Sequence, residues 1–128
     1  MSTLRWLFRE IGNWAAKPKW SGAGFARMVV ELADQPDHPA CAIARRHMAA
    51  VEAWLASELE ARSVAAPADA ARQVLLLTEG CMSLLLVHRD RHYVEVAAEA
   101  AVRLLATADR APRQRQYARN VSQAIVAP

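Results

Sequence analysis

Glycine is scarce in this chain, four in 128 residues, and no Asn-Gly, Asp-Gly or Gly-Gly pair lies between alternating apolar runs. An all-β fold would lack its hairpin turns, whereas 28 alanines, the best helix formers, point to helices. Cysteine is almost absent: Cys41 and Cys81 cannot make a disulfide framework and are read as free thiols packing as small hydrophobes. No apolar run reaches the roughly 20 residues that a bilayer crossing needs. The longest, Val74 to Val87, has 14 residues interrupted by Glu79 and reads as a buried helix rather than a membrane span. The N-terminus sets Arg5, Arg9 and Glu10 among its apolar residues and has no block of secretory-signal type, so the expected location is the cytoplasm. Also missing are a glycine-rich phosphate loop, a Gly-x-Ser-x-Gly elbow, a His-Glu-x-x-His pair and a paired-cysteine motif. Neither catalysis nor a cofactor is expected, and Ser83 and Cys81, inside a helix with no visible base, read as packing residues.

What is present is a chain 54% apolar and 23% charged, the balance of one compact helical domain. The net charge of +3 suggests nucleic acid until it is apportioned. Residues 1–109 carry a net charge of −1, and the +4 of residues 110–128 comes from Arg110, Arg113, Arg115 and Arg119. The division is thus a helical body, 1–109, and a basic tail, 110–128, whose arginines read as a solvated end.

Helical spacing organises the body. A first helix is predicted over 3–16, capped by Ser2 or Thr3, with Leu4, Leu7, Phe8, Ile11 and Trp14 recurring on one face and Pro18 ending it. A short second helix carries Phe25, Met28, Val29 and Leu32. Asp37 or His38 caps a long third helix with Pro39 in its first turn, running to about Arg62 with Ile43, His47, Val51, Trp54, Leu55 and Leu59 on one face. Pro67 and Asp69 open a fourth, to about Val87, apolar nearly all round and therefore in need of cover on more than one side. The fifth, 91–107, turns Tyr93, Val94, Ala97, Ala101, Leu104 and Leu105 inward, and Pro112 could begin a short sixth with Tyr117, Val121 and Ile125.

Two residue groups invite a chemical reading. His88 and His92 stand four apart around Asp90, but they straddle a helix junction between Arg89 and Arg91, which repel a cation, so no metal site is expected. Trp14, Trp20, Phe25, Trp54 and Met28 concentrate on the first three helices, where they either fill a core or wall an apolar pocket. His47, on the apolar stripe between Ile43 and Val51, is read as a hydrogen-bonded core histidine or a pocket polar group.

The run Gly24 to Ala61 resembles the start of the C-terminal effector domain of TetR/AcrR-family transcriptional regulators, the match resting on Glu31, Asp37, His38, Pro39 and Trp54. Ala71 to Asp90 is similar to that family's penultimate helix, including the pair Glu79-Gly80 and the exit His88-x-Asp90. The resemblance implies an all-α effector-sensing and dimerisation domain without the helix-turn-helix head, hence no sequence-specific DNA binding by this chain alone. It implies a small hydrophobic effector, expected against Trp14, Phe25, Met28, His47, Val51, Trp54, Thr78 and Met82. It also implies a homodimer built on Leu77, Leu84, Leu85, Ala97, Ala101 and Leu104. The alternative expectation is a structural interaction module with a solid core and no ligand.

Overall fold

The computed structural model describes residues 2–22 and 24–106, and these form five helices with no strand among them: α1 (Ser2–Ala15), α2 (Gly24–Glu31), α3 (Pro39–Ala61), α4 (Pro67–His88) and α5 (92–106). The fold is an all-α bundle. The basic tail and the predicted sixth helix lie outside the described residues.

Local chemistry sets the boundaries. The His38 Nδ1 accepts a hydrogen bond from the Ala40 N–H at 3.1 Å, so His38 caps α3 and Pro39 takes the first helical position. Pro67 does the same for α4, with the Asp69 carboxylate in its positive first turn. At the other end of α4, Arg89 adopts a left-handed conformation (φ 55°) and its N–H bonds the Leu85 carbonyl at 2.9 Å. α1 already includes Ser2 and Thr3, one residue ahead of its predicted start.

The core gathers on α4. Ala70, Ala71, Val74, Thr78, Cys81 and Leu85 form its buried stripe, against which pack Leu4 and Phe8 of α1, Leu55 and Leu59 of α3, and Val94, Ala97, Ala98, Ala101 and Leu105 of α5. α1 approaches α5 so closely that a methyl group at Gly12 would lie 3.2 Å from the Val94 side chain, and Arg5 pairs with Glu99 across the same seam. α4 packs closely on both α1 and α3, whereas the backbones of α1 and α3 stay farther apart, with side chains of both lining the space between them. That gap positions the site. Between Ala44 and Leu55 no residue of α3 is buried, although the segment is largely apolar.

Several sequence expectations change accordingly. Ile43 and Trp54 are 47% and 57% exposed and His47 is exposed, so the inward stripe of α3 is Cys41, Ala44, Leu55 and Leu59. A helical pattern marks an apolar face without revealing whether another helix lies opposite it. On α5 Tyr93 is only half-buried and Leu104 is exposed. α4, at 22 residues, is long and apolar enough to cross a membrane, which the shorter run Val74 to Val87 did not suggest; here its buried face joins the bundle core. Cys41 and Cys81 are free and buried, as read from the sequence.

Candidate ligand-binding cleft

Where α1 and α3 stand apart, a cleft of about 300 Å³ opens between the first four helices, within the range of small-molecule sites. α1 contributes Leu7, Ile11 and Trp14 to it, at i, i+4 and i+7 and hence on one face. α3 contributes His47, Met48, Val51, Trp54 and Leu55, α4 forms the floor with Leu75, Thr78, Glu79 and Met82, and the first turn of α2, Gly24 to Ala26, closes one end.

Seven of the eight residues expected to meet an effector therefore line one cleft: Trp14, Phe25, His47, Val51, Trp54, Thr78 and Met82. Met28 does not. The cleft reaches only the first turn of α2, and Met28, in the second, is half-buried elsewhere.

Both polar groups expected in a pocket, His47 and Thr78, line the cleft. His47 is not a hydrogen-bonded core residue. It is exposed at the rim, its ring stacked on that of Phe25 with centroids 4.5 Å apart and planes at 23°. Thr78 is buried, and its hydroxyl donates to the Leu75 carbonyl at 2.8 Å, which leaves its oxygen free to accept but not to donate. Glu79, absent from the sequence-derived set, is the one acid in the lining, and no lysine or arginine accompanies it. Among the described residues it has no hydrogen-bond or ion-pair partner, and burial pushes its carboxyl above its ordinary pKa. Its sequence signal was the single charge interrupting the run Val74 to Val87.

The aromatic walls are held at their backs. Trp14 meets Trp20 edge-on at 5.7 Å, and Trp20, itself buried, lies 5.8 Å below the Arg89 guanidinium, whose NH1 donates to the Trp20 carbonyl at 3.4 Å. The buried Trp20 Nε1 has no hydrogen-bond partner among the described residues. A second, smaller cleft of about 180 Å³ shares Leu7, Trp54 and Leu55 with the first and runs along α1 to Trp6, Arg62 and Leu105. Trp54 is thus a partition between the two, which accounts for its exposure.

The residues expected at a dimer interface divide into two groups. Leu85, Ala97 and Ala101 are 3%, 7% and 0% exposed and belong to the core of the single chain, so they have no surface left for a partner. Leu84 and Leu104 are exposed and Leu77 half-buried. Leu76 and Val87, 73% and 69% exposed, lie on the side of α4 opposite its core stripe, and Leu84, 40% exposed, flanks that face. Gly80 lies on that face too, with open space where its side chain would be.

His88 and His92 end α4 and open α5; His88 stacks on Tyr93 at 5.5 Å and His92 pairs with Glu95 at 2.9 Å. Among the described residues no group of His, Cys, Asp and Glu could hold a metal ion. Comparison of the chain with family models, curated proteins and solved structures finds no match in any of the three.

Proposed function

We propose that this chain is a small-molecule-sensing helical domain of the TetR/AcrR regulator type that binds a hydrophobic effector in the α1–α4 cleft and works as a homodimer. The observation that supports ligand binding most directly is the wide separation of the α1 and α3 backbones, which leaves Trp14, Phe25 and Trp54 around a cleft instead of in a core. Such a surface costs free energy unless something covers it, and an apolar compound of matching size does so. The regulator type rests on the sequence resemblance.

The experiment is a panel of uncharged apolar compounds read by melting temperature and tryptophan emission. A subset should raise the first and shift the second, because Trp14 and Trp54 line the cleft. If no compound changes either, the solid-core interaction module is the better account.

Dimerisation is proposed through the outward faces of α4 and α5, with Leu76, Leu84 and Val87 joined by Val96 and Leu104, all of which the single chain leaves exposed. Burying a leucine in full is worth roughly 1.5–3 kcal/mol, and a two-fold contact counts each pair twice. Light scattering should give twice the subunit mass, and Leu84→Arg should halve it without unfolding the chain. A single-subunit mass for the unaltered chain at micromolar concentration contradicts the dimer.

A further inference from the structure

The cleft has a polarity as well as a shape. Its only carboxylate is Glu79, on the floor; no lysine or arginine lines it, and the one other titratable side chain is His47, exposed at the rim. Arg27 of α2 lines a neighbouring groove that Glu79 also borders, and it pairs there with Glu31 at 3.1 Å. The walls are the faces and edges of Trp14, Phe25 and Trp54, whose π-systems attract positive charge. An uncompensated carboxylate at the base of an aromatic cleft repels anions. For a neutral ligand it is a desolvation cost, because water leaves the carboxylate and nothing replaces it. A cationic group offsets that cost with its full charge and also uses the rings.

Resting on the reading of the cleft as a ligand site, we propose that its ligand is an amphipathic organic cation. An ammonium or similar centre sits against Glu79, and an apolar body lies between Trp14, Val51 and Trp54. Thr78, whose hydroxyl hydrogen is already donated to Leu75, offers an acceptor oxygen beside it, which suits an N–H of a protonated amine.

The test is a matched pair, phenylbutyltrimethylammonium and its uncharged carbon isostere, in which a tert-butyl group replaces the trimethylammonium. Both are titrated into the full chain and followed by tryptophan emission. The cation should bind at least tenfold more tightly than the isostere. Glu79→Gln, which keeps the side chain's volume, should remove that preference by weakening the cation and, with the carboxylate's desolvation cost gone, strengthening the isostere. Glu79→Asp, which keeps the charge, should retain part of it, and circular dichroism should show both variants folded. Equal binding of the two probes, or a preference that survives Glu79→Gln, overturns the proposal and leaves the apolar cleft standing. Binding of neither probe overturns the cleft reading, and the cation proposal with it.

Discussion

Truncating two residues of α3 separates a cleft from a core, and the structure orders the two costs against residue size. Leu59 is 4% exposed and packs in the core with Leu55 and Leu105, so Leu59→Ala loses its burial and leaves a cavity, at roughly 2–5 kcal/mol. Trp54 is larger but 57% exposed. A tryptophan buries about 150–250 Å² when fully enclosed, and less than half of that here converts to about 2 kcal/mol at roughly 25 cal/mol per Å². Truncation at Trp54 leaves no closed cavity, since clefts lie on both sides, and alanine regains about 0.5 kcal/mol of helix propensity. The expected cost of Trp54→Ala is therefore about 1–1.5 kcal/mol. Urea unfolding followed by circular dichroism, which does not depend on the tryptophan removed, measures both. The reasoning fails if Trp54→Ala costs roughly 3–5 kcal/mol, the range of a buried aromatic, because the cleft would then be closed in solution and its aromatics would be core.

Three further outcomes are expected. Glu79 has a folded-state pKa above its unfolded value, so its ionisation destabilises the fold progressively as pH rises between the two. Glu79→Gln should accordingly stabilise the chain at neutral pH and give no gain below about pH 4, the ordinary glutamate range, in melts across that span; an equal gain at every pH would point to another cause. Gly80→Ala meets open space and should add about 1 kcal/mol to the stability of the subunit through helix propensity, and loss of dimer mass in the same variant would place Gly80 inside a close α4–α4 contact. Cys41 and Cys81 are buried and burial raises the Cys81 thiol pKa, so alkylation of the native chain should be slow and become complete in denaturant; rapid native labelling at Cys81 would show that α4 is uncovered there.

The helices were legible because their punctuation is local. Pro39 and Pro67 take first-turn positions that need no donor, and His38 supplies the cap that the sequence offered as one of two choices. Most of the cleft was legible too, since Trp14, Val51, Trp54 and Thr78 recur at helical spacing on three helices. What could not be read was which apolar faces meet a neighbour. Ile43 and Leu55 belong to one periodic pattern, yet Ile43 is 47% exposed and only Leu55 reaches the core. The same ambiguity placed Leu85, Ala97 and Ala101 at a dimer interface when a single chain is enough to bury them. Glu79 escaped notice because a lone acid in an apolar helix reads as an interruption until the structure shows that nothing neutralises it.

The claim that the α1–α4 cleft is a ligand site is tested most directly by the methionine methyl signals of the chain in a titration with phenylbutyltrimethylammonium. Met48 and Met82 line the cleft and Met28 stands outside it, so the first two signals should move saturably together while that of Met28 stays in place. Movement of Met28 alone, or no movement of Met48 and Met82 at saturation, contradicts the account.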